Sequence, residues 1–187
     1  MLINGADPNQ IKEGLIKIRP LHEAILAVEN GGPFEMISLL IKYGSQINSD
    51  QPDLECVTPL LIALSNDLPD IAQFLLDAGA DPSVIDDEGN SALHWCVENN
   101  DLEFAKNLLA KGAEKTIDQC SAIEGRSALG MAVHRLNVDM VRLLLDAGAD
   151  VGKMDYNFDT IRDCLPPIDS SNEIAWNEIS QLIDNAI

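Results

Sequence analysis

Apolar residues recur along the chain at helical spacing, in short stretches separated by turn-forming residues. Between Thr58 and Gly79 they stand at Leu60, Ala63, Leu64, Ile71, Leu75 and Leu76. The dipeptide Leu68-Pro69 interrupts this stretch, since Pro cannot continue a helix and restricts the residue before it. Thr58 is suited to cap the first helix, and Gly79 to end the second. The pattern predicts a helix, a turn, a second helix and then an extended segment, here called a finger.

This unit is repeated along the chain. The closing motif, Leu-Leu-x-x-Gly-Ala-Asp, occupies residues 75–81, 108–114 and 144–150, with a looser copy at 39–45 and a fragment at 2–7. A four-residue motif typical of a helix start follows the glycine of each of the first four copies of the closing motif by 12 to 15 residues. It occupies residues 19–22, 58–61, 91–94 and 127–130. The glycines are 33 to 39 residues apart, a period typical of stacked units that work through a surface rather than a pocket.

The two motifs in phase resemble the ankyrin repeat, with its Thr-Pro-Leu-His-x-Ala start and its Gly-Ala-Asp close. The resemblance covers nearly the whole chain and implies an all-α fold. It implies an ankyrin-repeat solenoid, in which helix-turn-helix units are stacked and carry extended β-hairpin-like fingers. The single domain, 1–187, would then comprise a partial repeat at 1–9, four repeats at 12–47, 48–82, 83–115 and 116–151, and a degenerate C-terminal capping repeat at 152–187.

The units differ in their connections and at the two ends of the array. The first repeat has four extra residues around 29–33, which should lengthen its inter-helix loop, and the fingers at 48–57 and 116–126 are long. In the last unit, Pro166-Pro167 should stop the first helix early, and Ser170-Ser171 should cap a final helix. Residues 1–9 are the tail of a repeat without its helices. We therefore expect the chain to be a piece of a longer array; the alternative is that its first face is covered by another chain or by residues 9–19.

The net charge and the composition limit the classes of partner that we expect this protein to bind. A formal net charge of −19 over 187 residues argues against nucleic-acid binding and disfavours anionic membranes. No apolar run approaches transmembrane length, and no secretory signal is recognisable, so we expect a cytoplasmic protein, in a host cell if it is a bacterial effector. The four cysteines lack paired close spacing, and we expect no disulfide. The acidic fingers would steer a basic partner segment; the finger residues assigned to binding are Asp53, Glu55, Asp87 and Glu88.

The sharper binding hypothesis concerns the inner face of the first helices. In ankyrin arrays the residue after the Leu-His pair points into a concave groove beside the fingers. That register places an apolar stripe there, formed by Ile62, Trp95 and Met131. Polar residues would rim it: Asn66, Glu98, Asn99, His134 and Arg135. Trp and Met are common at interface centres. In the alternative, the register drifts and Trp95 packs under a finger as core.

Catalysis finds little support in the sequence. His94 and Cys96 are two residues apart on one helix and cannot face each other. No Cys/His cluster has zinc spacing and no glycine loop matches a phosphate cradle. We therefore expect a non-enzymatic module that binds a protein partner, with a basic or apolar segment, and that needs no cofactor, metal or small-molecule substrate. The alternative is an accessory or targeting domain of a larger enzyme or bacterial effector whose activity lies elsewhere.

Overall fold

The computed structural model describes residues 6–11, 18–50, 57–123 and 125–186. Within these ranges the chain forms nine α-helices: α1 Pro20–Val28, α2 Glu35–Lys42, α3 Pro59–Ser65, α4 Pro69–Asp77, α5 Ala92–Glu98, α6 Leu102–Ala110, α7 Ala128–His134, α8 Val138–Asp146 and α9 Glu173–Ala186. The predicted all-α fold is confirmed. The finger after α6 holds a short 3-10 helix, Ala113–Thr116, and an isolated antiparallel bridge between Cys120 and Ser127. None of the described helices combines the length and apolar character needed to cross a membrane.

The helices belong to two compact units, Met1–Asp87 and Glu88–Ile187. In the first unit, α1 packs against both α2 and α3, and α3 packs against α4. In the second unit, α5 contacts α6 and α7, while α8 contacts α6, α7 and α9. The apolar residues predicted between Thr58 and Gly79 form core: Leu60, Ala63, Leu64, Ile71, Leu75 and Leu76 are each at most 5% exposed.

Helix starts and stops follow the predicted chemistry. The Thr58 and Ser127 hydroxyls accept hydrogen bonds from the backbone N–H groups of Leu61 and Gly130, which caps α3 and α7. Each second helix is followed by a glycine with positive φ, at Gly44, Gly79, Gly112 and Gly148. This left-handed conformation lets the chain leave the helix and begin a finger, and it is why glycine recurs in the closing motif.

The chain between Thr160 and Leu165 is a run of turns, where the sequence predicted a shortened helix. Its backbone hydrogen bonds span three residues: Asp163 N–H donates to Thr160, and Cys164 N–H donates to Ile161. Pro166 and Pro167 have no N–H to donate to Arg162 and Asp163, so the four-residue ladder of an α-helix cannot form there. The prolines thus do more than end a helix early.

The final helix begins at Glu173, so the prediction that Ser170-Ser171 caps it is wrong. Side-chain hydrogen bonds hold the turn before this helix: the Asp169 carboxylate accepts from the N–H groups of Ser171 and Asn172, and the Asn172 amide oxygen accepts from Asp169 N–H. The Ser171 hydroxyl donates to the same carboxylate, and these hydrogen bonds lower the pKa of Asp169.

The last helix presents one apolar face to the fold. Ile179 and Ile183 are buried, at 0% and 1% exposure, whereas Ile174 is 84% exposed. Ile174 lies five residues before Ile179, whereas residues on one face of a helix are three or four apart, so Ile174 lies outside the apolar face. The polar residues predicted on the outer side are exposed, namely Asn177, Glu178, Gln181 and Asp184.

Motif histidines tie helices to the chain that leads into the next one. His22, fully buried in α1, donates from Nε2 to the carbonyl of Val57 at 3.1 Å. Burial, with a smaller contribution from the nearby Arg19 guanidinium, lowers the pKa of His22 from 6.5 to about 4, although the hydrogen bond to Val57 opposes the shift. The folded protein therefore holds this imidazole neutral where the unfolded chain protonates it.

Acidification should consequently destabilise the first unit. Below pH 6.5 the unfolded chain binds a proton at His22 that the folded chain does not bind until about pH 4, so stability falls across this window. Between pH 7 and pH 5 the loss attributable to His22 is about 2 kcal/mol. We expect His22→Gln, whose amide can donate to Val57, to lose less stability than wild type over this range in urea unfolding.

The matched control for this pH prediction is His134→Gln, because His134 is exposed. It should keep the wild-type decline. If His22→Gln and wild type decline in parallel, His22 is not the responsible group.

The described cysteines are unpaired and buried. Cys96, Cys120 and Cys164 are 0%, 6% and 3% exposed. Burial raises the pKa of each thiol, so each is held in the protonated form at neutral pH. Cys96 acts as a small core residue on α5, as predicted from its place in the motif.

Candidate binding cleft

A shallow cleft of about 250 Å³ opens in the second unit, and we call it the Trp95 cleft. Its apolar walls are Trp95, Met131 and Ile123. Its polar lining comes from Glu88, Asn90, His94 and Glu98. Glu88, Trp95, Glu98 and Met131 were all assigned to partner binding from the sequence, and the fold brings these four residues around one depression.

The spacing of α5 explains why Trp95 faces the cleft. Leu93, Cys96 and Val97 take the inward side and are each at most 1% exposed. Trp95, between them, is left half-buried, while Glu98 one turn on is exposed. From α7, which packs against α5, Met131 reaches the same depression with only 6% of its surface exposed. The cleft is thus a feature of two adjacent first helices.

His94 fixes the finger that borders the cleft. Its Nδ1 accepts from Ser91 N–H at 3.1 Å, and its Nε2 lies 3.1 Å from the carbonyl of Arg126. Since a carbonyl only accepts, Nε2 carries the hydrogen and the ring is bound on both sides. The imidazole therefore joins the start of α5 to the end of the finger at 116–126.

That finger contributes Ile123, which the sequence analysis did not select. Ile123 is 72% exposed and lines the cleft. The N–H of Ala122, its neighbour, donates to the carbonyl of Glu88, so the two fingers are joined beside the cleft. The available signal was an isolated large apolar residue in a finger already distinguished by its length.

The electrostatics of the cleft are mixed. Glu98 forms an ion pair with Arg135, and both side chains remain about half exposed. Such an exposed pair contributes little stability, on the order of 0.2–1 kcal/mol. The indole Nε1 of Trp95 is buried and has no hydrogen-bond acceptor in the described part of the protein. An unpaired buried donor is unfavourable in the free protein.

The other predicted binding residues lie elsewhere. Asn99 ends α5, and His134, exposed, donates from Nδ1 to the carbonyl of Cys164 at 3.2 Å; neither lines the cleft. In the first unit, Ile62 is 4% exposed, and Asn66 donates to the carbonyl of Ile62 at 2.7 Å. Asp87 is exposed in that unit. Asp53 and Glu55 lie outside the described residues.

One contact beside the cleft resembles part of a catalytic pair. The Ser91 hydroxyl lies 2.8 Å from His94 Nδ1, a contact that also occurs in nucleophile–base pairs. Ser91 is 0% exposed, however, and the imidazole is held by Arg126, so no substrate can reach the hydroxyl. In the described ranges, His, Cys, Asp and Glu form no group of three or more that could hold a metal ion.

Comparison with known proteins agrees with the repeat pattern. A family model described as "Ankyrin repeats (3 copies)" matches residues 1–86, 24–119 and 78–155. These overlapping matches leave only the C-terminal segment after residue 155 unmatched.

Individual relatives come from animals and bacteria. The chain is 32% identical over 137 residues to the B-cell lymphoma 3 protein homolog of Mus musculus, covering 73% of this chain and 30% of that protein. It is 40% identical over 104 residues to Protein PhlB of Serratia liquefaciens, covering 56% and 45% of the two chains. It is 44% identical over 70 residues to protein phosphatase 1 regulatory subunit 27 of Homo sapiens, covering 37% and 42%. The matched region spans less than half of each of these relatives.

Proposed function

Because the chain belongs to the ankyrin-repeat family, whose repeats are a protein–protein interaction module, we propose that it binds a protein partner at the Trp95 cleft. The observation that carries this proposal is Trp95 itself, which is half-buried and whose indole N–H has no acceptor among the residues that the structure describes. A rigid aromatic residue in a partly dry depression is the usual anchor of a binding interface.

The lining of the cleft supports a partner segment with apolar and basic side chains. Trp95, Ile123 and Met131 offer apolar surface, and Glu88 lies exposed at the edge. The net charge of −19 would speed the approach of a basic segment and repel an acidic one. The remaining residues assigned from the sequence, including Ile62, Asn66 and Asp87 in the first unit, stay predictions.

We also propose that the chain is non-catalytic and cytoplasmic. Buried, protonated cysteines are not nucleophiles, and the Ser91–His94 contact serves to start a helix. Unpaired thiols are the usual state of cysteine in a reducing compartment.

The proposal is tested by affinity capture with immobilised wild-type protein, Trp95→Ala and Trp176→Phe, followed by mass spectrometry. Trp176, on α9, donates from its indole nitrogen to the carbonyl of Pro166 and takes no part in the cleft. We expect partners retained by wild type and by Trp176→Phe to be missing from Trp95→Ala. Partners that remain bound to a folded Trp95→Ala protein would place the binding surface elsewhere.

A further inference from the structure

A second cleft, of about 430 Å³, lies in the first unit and is not part of any site described above. We call it the Phe34 cleft. Phe34, Leu68, Pro69 and Ile71 line it with apolar surface, and Asp67 and Asp70 line it with carboxylates. It lies where the long α1–α2 connection meets the turn between α3 and α4.

The inserted residues of the first repeat shape one wall of this cleft. After α1, the N–H groups of Asn30 and Gly32 both donate to the carbonyl of Ala27, which folds the connection back on the helix end. A side chain at Gly32 would meet that carbonyl at 2.7 Å, so the fold-back requires glycine. The connection then leads to Phe34, the residue directly before α2.

The helix caps around this cleft depart from those in the second unit. There, the N-cap residues of α6 and α8 are Asp101 and Asn137, whose side chains accept from the backbone N–H three residues on. In the first unit, the N-cap residues of α2 and α4 are Phe34 and Leu68, which form no side-chain cap hydrogen bond. A polar cap stabilises a helix, and both second helices here lack one.

Both of these apolar cap residues line the Phe34 cleft. In the second unit, the corresponding Asn137 links successive turns by donating from Nδ2 to Asn100 Oδ1 at 2.6 Å. Leu68 stands at the matching place in the α3–α4 turn and makes no such bond. The preference for a polar N-cap residue is broken at both Phe34 and Leu68, which lowers helix stability at each position. Positions that keep a less stabilising residue in this way are typical of binding surfaces.

The aromatic wall is held in place although it is partly exposed. The Phe34 ring packs edge-on against Phe74, with centroids 5.1 Å apart at 72°, and remains 39% exposed. Asp67 and Asp70 are exposed beside it, and neither has an ion-pair partner among the residues that the structure describes. Ordered apolar surface beside two unpaired carboxylates complements a cation attached to an apolar group.

We propose that the Phe34 cleft is a second docking surface, for a partner segment in which Arg or Lys stands next to a large apolar side chain. The apolar group fills the space between Phe34 and Leu68, and the cation lies between Asp67 and Asp70. Another copy of this chain, with a net charge of −19, is a poor occupant because like charges repel. The proposal is independent of the Trp95 cleft.

The test is a titration of the isotope-labelled full chain, followed by amide chemical shifts, with the peptide acetyl-Arg-Leu-Arg-amide. We expect saturable shifts at Phe34, Leu68 and Ile71, and none there with acetyl-Glu-Leu-Glu-amide. Shifts that are equal for both peptides, that avoid these residues, or that appear on concentrating the protein alone would overturn the proposal. Trp95→Ala should give the same titration as wild type.

Two variants separate binding from folding. Leu68→Asn restores the polar cap found in α6 and α8, so its melting temperature should equal or exceed that of wild type, while peptide affinity falls about tenfold. Asp67→Asn with Asp70→Asn should keep the fold and weaken binding by about fivefold at low salt, with a smaller effect at high salt. Unchanged affinity in either variant would refute the assigned occupant.

Discussion

Replacing Trp95 by Ala should weaken partner binding by about 2 kcal/mol or more, roughly 30-fold in Kd, without unfolding the second unit. The indole forms an apolar wall of the cleft, and its truncation removes that wall. The rest of α5 is anchored by Leu93, Cys96 and Val97, which are unaffected by the change. Calorimetric titration with the captured partner measures the effect, and circular dichroism checks the helix content.

Two further variants make the Trp95 experiment decisive. Trp95→Phe keeps an aromatic ring and removes an N–H that has no acceptor in the described protein, so it should fold as stably as wild type and lose less affinity than Trp95→Ala. Trp176→Phe leaves Trp95 as the sole indole, so its fluorescence should respond to partner addition. A collapse of stability in Trp95→Ala would instead identify Trp95 as a core residue, the alternative left open by the sequence.

Gly89→Val should lower the free energy of unfolding by about 3 kcal/mol and disturb the same cleft. Gly89 has a φ of +75°, a conformation that β-branched residues adopt poorly, and a Cβ there would stand 2.9 Å from the Cys120 carbonyl oxygen. This glycine lies between Glu88 and Asn90, both part of the cleft lining, and permits the close approach of the two fingers. Urea unfolding measures the loss.

Gly148→Val is the matched control within the same unit. Gly148 has a φ of +92° but no atom within 4 Å of its Cβ position, so its variant should show the backbone penalty alone, about 1–2 kcal/mol. The difference between the two variants measures the finger contact at Gly89. Equal losses would mean that the fingers yield and that their spacing does not depend on this glycine.

The sequence was sufficient at several helix ends, where local chemistry decides the structure, though not at the start of α9. Thr58 and Gly79 carry a cap and a stop whose geometry depends on a few adjacent residues, and both predictions are confirmed. The direction of Trp95 follows likewise from its place on a short helix between two inward residues. Residue type specifies the cap and the stop, and periodicity specifies the direction of Trp95.

What the sequence could not specify is how neighbouring elements share surface. Register indicates that Ile62 and Met131 point as Trp95 does, but it does not predict that their neighbours leave them only 4% and 6% exposed. The Phe34 cleft is a stronger case. The inserted residues that shape one wall of this cleft are visible in the sequence. Whether that wall lies next to Leu68 depends on how a loop and a turn from different repeats are placed.

Buried thiols give the second unit internal reporters of its opening motions. Cys96, Cys120 and Cys164 all belong to that unit, and each is sealed and protonated while the helices remain packed. An alkylating reagent can reach Cys96 only during excursions that separate α5 from its neighbours, so the labelling rate reads the free energy of those excursions. In a chain whose Cys56 is changed to Ser, the rate of alkylation would therefore show whether a partner bound at the Trp95 cleft slows the transient opening of the helices beneath it.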